Sequence, residues 1–368
     1  MKILSVFGTR PEAIKLAPVI AELNKHQEKL TSVVCVTAQH REMLDQVLTL
    51  FALQTDYDLD IMQPNQTLAT ITARALTKLD EVLQAEKPDW VLVQGDTTTA
   101  MVATLAAFYH KIKVGHVEAG LRSFDKYQPF PEEINRKIAT SISDLHFAPT
   151  EVSQQNLLRE GVNKAQIIVT GNTVIDALLQ IAEKPYAWET SPLAAIPRDK
   201  KIILVTAHRR ENHGAPLHNI CAALREIAEC RPDVHIVYPV HLNPNVQTVV
   251  RGLLGKITNI TLLEPLEYLP LVQLLKQSYL VITDSGGIQE EAPGLGKPVL
   301  VLREVTERPE GVTAGTVKLV GTDKEKIVQE TMILLENKTA YEKMSQAVNP
   351  YGDGKASERI VQHLLAVA

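Results

Sequence analysis

Cysteine is scarce in this chain. Its three thiols, Cys35, Cys221 and Cys230, fall in 368 residues without C-x-x-C spacing. That spacing excludes a disulfide framework or a zinc ribbon and leaves buried, reduced thiols as the expectation. A basic excess is missing too: 38 Lys and Arg against 43 Asp and Glu give a formal net charge of -5. General binders of nucleic acid or of membrane surfaces are basic, so neither partner is expected, though a local basic cluster can still take a small anion. Long hydrophobic runs are absent. The opening "MKILSVFGTRPEAIK" is apolar only until Arg10, Glu12 and Lys15, too short for a signal peptide or membrane span and suited to a first strand. No low-complexity segment appears, and no His/Cys/Asp set has metal-ligand spacing, so no metal is expected.

What is present is ordinary globular composition, 45% hydrophobic and 22% charged. The length predicts about two domains. Six short apolar runs closed by Gly, Asp, His or Thr occupy the first half, "KILSVFGT", "TSVVCVTAQ", "WVLVQGD", "VGHVEAG", "LHFAPT" and "IIVTGN". Six more follow, "KIILVTAH", "HIVYPVH", "ITLLEPL", "LVITDSG", "PVLVLRE" and "TVKLVG". Most lie between helical stretches such as "PEAIKLAPVIAELNKH" and "TLATITARALTKLDEVLQ". Alternating strands and helices, with the strands apolar throughout, predict parallel sheets covered on both faces and hence an α/β chain of two Rossmann-like doubly wound domains. A boundary is expected around residues 171 to 200, where "EKPYAWETSPLAAIPRDK" is Pro-rich and lacks periodicity. A last helix follows the Gly-broken turn after Pro350, and its pattern does not say which domain it joins.

Ligands of open parallel sheets sit at the carboxyl ends of the strands, so strand ends supply the candidates. "WVLVQGD" ends at Asp96, either a cap for the next helix or a carboxylate aimed at the crevice. "VGHVEAG" brings Glu118 to the same crevice. The passage "HVEAGLRSFDKYQPFPEEINR" adds Asp125, Glu132 and Glu133 to Glu118 and sets Arg122 and Arg136 among them. Glu132 and Glu133 could merely complement a helix dipole, but carboxylates converging with arginines suit proton transfer at carbon. In "SVFGTRPEAIK" a strand, a Gly turn and a helix carry Arg10 and Lys15, a place where free N–H groups bind phosphate. "LVTAHRREN" and "VYPVHLNP" put His208, Arg209, Arg210 and His241 at successive strand ends. The strongest signal is "LVITDSGGIQEEAPGLGKPVLVLREVTERPEG", in which Asp284 ends a strand, Ser285, Gly286 and Gly287 turn the chain, and a helix opens toward a phosphate. Glu290 and Glu291 follow where a carboxylate can accept from ribose hydroxyls. Neither G-x-G-x-x-G nor G-x-x-x-x-G-K-[ST] occurs, so dehydrogenase and P-loop readings fit poorly.

Taken together, "GTRPEAIK", "QGDTTT", "HVEAGLRS", "PFPEEINR", "TAHRREN" and the Asp284 segment resemble the bacterial non-hydrolysing UDP-N-acetylglucosamine 2-epimerases, in the family's order and over essentially the whole chain. The resemblance implies a glycosyltransferase-B-type fold with the active site in the cleft between the domains, 1–172 plus 352–368 and 173–351. It also implies a cytoplasmic homodimer that interconverts UDP-GlcNAc and UDP-ManNAc for envelope polysaccharides through elimination and re-addition of UDP. In that reading Asp96, Glu118 and Glu132 are acid/base and orienting groups, and His208 assists the diphosphate. Arg10, Lys15 and Arg136 supply positive charge, while Ser285, Gly286, Glu291 and Arg308 hold UDP. No cofactor is implied, because no redox step occurs. A second UDP-GlcNAc site would use Gln39, Glu132, Arg209 and His241, with Glu42 and Asn65 replacing a neutral amide and a cation of relatives and weakening activation. The rival readings are a UDP-sugar glycosyltransferase of the same fold, a hydrolysing epimerase, and a silent nucleotide-sugar sensor.

Overall fold

The computed structural model describes residues 1–37, 41–63 and 66–367. Its contacts divide the chain into two compact units, Met1–Ala177 with Gly352–Ala368, and Leu178–Tyr351.

The strands of the first unit are β1 (Lys2–Phe7), β2 (Thr31–Val36), β3 (Tyr57–Asp58), β4 (Trp90–Gln94), β5 (Lys113–Val117), β6 (Leu145–Ala148) and β7 (Ile167–Val169). Its helices are α1 (Arg10–Leu23), α2 (Arg41–Leu50), α3 (Leu68–Glu86), α4 (Thr98–Tyr109), α5 (Glu132–Ile142), α6 (Glu151–Arg159) and α7 (Thr173–Ala182), the last running on into the second unit. The second unit holds β8 (Lys201–Thr206), β9 (Val234–Pro239), β10 (Ile260–Leu263), β11 (Leu280–Thr283), β12 (Val299–Val301) and β13 (Val317–Leu319). Between and after them come α8 (Ala215–Cys230), α9 (Pro244–Leu254), α10 (Tyr268–Gln277), α11 (Gly286–Gly294), α12 (Pro309–Ala314), α13 (Lys324–Glu336) and α14 (Lys338–Ser345). Finally α15 (Ala356–Ala366) returns to the first unit and packs on α1.

Both sheets are parallel throughout the described residues, in the orders β3-β2-β1-β4-β5-β6-β7 and β10-β9-β8-β11-β12-β13. This is the doubly wound architecture that the apolar runs predict, of the glycosyltransferase-B type that the resemblance implies. Strands such as β4, buried at all five residues, can only lie inside a sheet covered on both faces. Of the thirteen strands among the described residues, β3 alone is not among the predicted runs: its two residues pair with Cys35 and Val36 at the end of β2 and are too few to form an apolar run. The order reverses between β1 and β4 and again between β8 and β11, so the loops after these four strands are where a ligand crevice forms in such sheets.

One expectation needs correction, and one stretch adds a detail. The Pro-rich stretch 183–200 contributes to the core of the second unit, where Trp188, Leu193 and Ile196 bury themselves beside Leu204 and Val281. Its contacts come from turns rather than from a regular element, so they leave no period in the sequence. Cys35 and Cys221 are buried, and burial raises each thiol pKa to about 12. Cys230 is exposed instead, because it is the last residue of α8.

Candidate active site

At the end of β4 the chain turns on Gly95 (φ 70°), a left-handed backbone that glycine adopts without penalty. The Gly95 N–H donates to the Val117 carbonyl at 3.0 Å, and the Gly95 carbonyl accepts from Nε2 of buried His116 at 2.7 Å. Burial holds the His116 pKa down at about 4, so its ring is neutral. Asp96 is not the cap of α4. Thr97, extended at φ -68°, takes that place by accepting from the Ala100 N–H at 3.1 Å. The Asp96 carboxylate is thereby left for Arg136, whose Nη2 donates to it, and the Asp96 carbonyl accepts from Asn135 at 2.9 Å.

One strand over, Glu118 follows β5 with φ 63°. A side chain in the left-handed region costs roughly 1 kcal/mol or more, and such strain gathers at functional positions. Its buried carboxylate receives Lys15 Nζ at 2.6 and 2.8 Å on its two oxygens, the Gln94 amide, and Asn172 Nδ2 at 2.9 Å. Lys15 therefore rests on Glu118 as an ion pair. Arg10, the first residue of α1, is half-buried.

At the α1 start an internal carboxylate takes the N–H groups of the turn that precedes the helix. The Gly8 and Thr9 N–H groups donate to the buried Glu12 carboxylate at 3.1 and 2.7 Å, and Thr97 Oγ1 donates to the other oxygen at 2.6 Å. The Glu12 carboxylate thus fixes the Gly turn before α1 as a capping box.

In the 116–136 passage the charges separate by role. Arg122 is turned inward, donating to Glu160 at 2.9 and 2.7 Å and to Thr140 at 2.8 Å, so it does not converge with the carboxylates. Burial would raise the Glu160 pKa, but the Arg122 guanidinium outweighs it and lowers it below the usual range. Glu133 is fully buried and accepts from the Ser123 and Phe124 N–H groups at 3.0 and 3.1 Å and from Arg136 at 3.2 Å. Asp125 accepts from the Tyr127 N–H at 2.9 Å within an exposed turn. These three groups build the loop. Glu132 opens α5 one turn before Arg136, and its Oε2 is buried with no hydrogen-bond partner among the described residues.

In the second unit Asp284 is the hub. Its fully buried carboxylate accepts from the main-chain N–H groups of His208 and Arg209, both at 2.8 Å, and from Asn212 at 3.0 Å. Tyr238, buried against β8, donates to the Ala207 carbonyl at 2.6 Å and fixes the same loop from beneath. His208 Nδ1 stands 3.4 Å from the second Asp284 oxygen, and its ring stacks on His241 at 5.4 Å between centroids. Burial keeps the His208 pKa below the ordinary histidine value even with Asp284 pulling it up. Arg209 donates to the Asp284 carbonyl at 3.1 Å and lies against Gly286, where an added Cβ would come within 3.6 Å of Nη2. Ser285 precedes α11 without capping it through its side chain. Farther along α11, Arg308 pairs with buried Glu290, and Thr306 Oγ1 donates to Gln289 at 2.6 Å. Glu291 is buried one residue on, facing Gly287 at the helix start.

The sequence profile described as UDP-N-acetylglucosamine 2-epimerase matches residues 21–365. The chain belongs to the UDP-N-acetylglucosamine 2-epimerase family. It is similar to the UDP-N-acetylglucosamine 2-epimerase of Escherichia coli K12, at 57% identity over 99% of this chain and 98% of that one. The crystal structure of the Neisseria meningitidis UDP-GlcNAc 2-epimerase bound to UDP-GlcNAc matches all of both chains with a TM-score of 0.88 and 54% identity. The Methanocaldococcus jannaschii enzyme, in complex with UDP-GlcNAc and UDP, matches all of both chains with a TM-score of 0.81 and 39% identity.

For this epimerase family member the predicted site residues fall into two groups. In the first unit Asp96, Glu118, Lys15 and Arg136 meet in two ion pairs, with Glu132 a turn from Arg136. In the second, His208, Arg209, His241, Ser285 and Gly286 surround Asp284 and the start of α11, while Arg308 joins Glu290 farther along. Arg209 and His241, expected in a second site, touch the same loop as His208. Gln39, Asn65 and the Glu42 side chain lie outside the described residues. Sequence reasoning missed Glu12, Gln94, Asn172 and the Asp284 hub as partners. The only signal for them was position: each stands within two residues of a Gly or Pro at a strand end or helix start.

Proposed function

We propose that this chain interconverts UDP-GlcNAc and UDP-ManNAc by eliminating UDP and adding it back. The sugar C2–H lies beside an acetamido carbon rather than a carbonyl, so it is only weakly acidic. A base on one face takes the C2 proton, the C1=C2 double bond of a 2-acetamidoglucal forms, and the C1–O bond breaks with its electrons leaving on the UDP diphosphate. Return of the UDP oxygen to C1, with a proton delivered to the other face of C2, completes the inversion. The observation that carries this reading is the pair of carboxylates at the ends of adjacent strands, Asp96 with Arg136 and Glu118 with Lys15. Acid/base exchange at two faces needs two positioned carboxylates, and simple group transfer from the same donor does not.

Glu132 is the third acid/base or orienting group in this proposal, and Arg10 adds positive charge. The diphosphate and uridine are assigned to His208, Ser285, Gly286, Glu291 and Arg308. The route has no redox step and calls for no cofactor. A cytoplasmic homodimer supplying precursors for envelope polysaccharides completes the proposal.

Incubation with UDP-GlcNAc in deuterated water, followed by NMR, tests it. UDP-ManNAc carrying deuterium at C2 is expected. Retention of protium at C2 overturns elimination, and release of free ManNAc with UDP makes the enzyme a hydrolysing one.

A further inference from the structure

We propose that Asn172 is a positioning residue for Glu118, holding the carboxylate plane in place when Lys15 turns to the substrate. The proposal rests on the reading that Glu118 exchanges the C2 proton. Asn172 lies between β7 and α7, nearly fully buried. Its Oδ1 accepts from the Val174 N–H at 3.1 Å as α7 begins. That bond decides which end of the amide is which, so the NH2 end must face Glu118 Oε1, to which it donates at 2.9 Å. The donor has no freedom to turn away without uncapping the helix.

The segment around it is fastened by the returning end of the chain. Arg359 donates to the Thr170 carbonyl at 2.9 Å, and Asp176 accepts from the Ala356 and Ser357 N–H groups at 3.2 and 2.7 Å, tying α7 to the start of α15. A Cβ on Gly352 would sit 3.5 Å from the Asn172 nitrogen. Glu118 Oε1 thus takes its amide donor from a rigid junction, and Oε2 takes one from Gln94 at the end of β4. Lys15, by contrast, reaches both oxygens on a flexible four-carbon stem. If it moves to a phosphate, the two amides still fix the carboxylate.

Charged and titratable groups near Glu118 include Lys15 from α1 and neutral His116 on β5, whose ring also feels Arg122 and Arg136. On α7 the titratable group is Asp176, which faces α15. An anion at position 172 would therefore be a new charge against Glu118. Asn172→Asp keeps the helix-capping acceptor and replaces only the donor. We expect kcat to fall roughly 10-fold or more with KM within about twofold, the scale of a displaced catalytic group. The thermal midpoint should fall, as a second buried carboxylate beside Glu118 costs stability, and the acidic limb of the kcat/KM profile should move up by about one pH unit, as like charge disfavours ionisation. Asn172→Ser, which can cap but not reach Glu118, should lower kcat without moving the limb. An Asn172→Asp enzyme with parental kcat and pH profile overturns the proposal, as does a loss in both variants that merely follows their loss of stability. Glu118→Gln separates the two readings: if it keeps C2 exchange, the role of Glu118 itself fails; if it is inactive while Asn172→Asp is normal, only Asn172 is excluded.

Discussion

The starts of α1 and α11 look alike in sequence, each a parallel strand, a glycine turn and a helix, yet they are opposite in what they leave open. At α1 the Gly8 and Thr9 N–H groups are consumed by Glu12, the third helical residue. At α11 the residue before the helix, Ser285, makes no side-chain cap, and the acids of the helix itself, Glu290 and Glu291, lie five and six residues on. A helix start whose N–H groups hold an internal carboxylate repels a second anion; one without such a cap remains a phosphate cradle. A glycine turn before a helix is therefore not enough to name an anion site. What matters is whether an acid stands where it can fold back.

The same contrast separates the two buried carboxylates Glu118 and Asp284. Glu118 is held by side chains, the fixed amides of Gln94 and Asn172 and the flexible Lys15, which alone can turn to a ligand. Asp284 is held by two main-chain N–H groups and Asn212, and moving it would undo the loop that carries His208. On the proposed reading Glu118 acts, while Asp284 supports the loop.

The largest effect should fall on turnover. Asp96→Asn, Glu118→Gln and Glu132→Gln should each lower kcat by roughly 100-fold or more while leaving UDP affinity, measured by calorimetry, unchanged. Near-parental rates in all three would break the division of labour between the units. Next comes Asp284→Ala, which strands three donors at a buried position; unfolding in urea should show a loss of roughly 3 kcal/mol or more, with UDP binding lost as well. If stability and binding both persist, Asp284 is no hub.

A smaller effect sharpens the helix comparison. Ser285→Ala and Glu291→Gln should each weaken UDP binding by about 1 kcal/mol, whereas Glu12→Gln should leave UDP affinity untouched. A Glu12 variant that loses UDP would reverse the assignment of the two helix starts. The smallest effect is on acid stability of the first unit. His116 and His146 face each other across β5 and β6, and burial holds both at about 4, below the ordinary 6.5. For a base with a depressed folded pKa, the unfolded chain binds protons first. Stability is thus fully present above about 6.5 and is lost as pH falls toward about 4. Between pH 7 and 6 each should contribute a loss of roughly 0.5 to 1 kcal/mol, and His146→Gln should flatten the corresponding fall in thermal midpoint by its share.

The chain itself determined its sheets and the places where chemistry could stand. Twelve apolar runs were legible because a strand buried on both faces must be apolar along its whole length, and a parallel sheet puts strand ends on one edge. Asp96, Glu118, His208 and Asp284 were therefore visible as strand-end residues, while β3 was too short to leave a pattern. Only the tertiary structure decided what each polar group pairs with. Arg122 went to Glu160 rather than to the carboxylate set, Thr97 rather than Asp96 capped α4, and Glu12 took the N–H of Gly8 in the turn before α1. Hydrogen bonds and ion pairs depend on a few ångströms between residues tens of positions apart, as with Asn172 and Glu118. Periodicity records which face of an element is buried; it holds no record of which partner the opposite element brings to meet it.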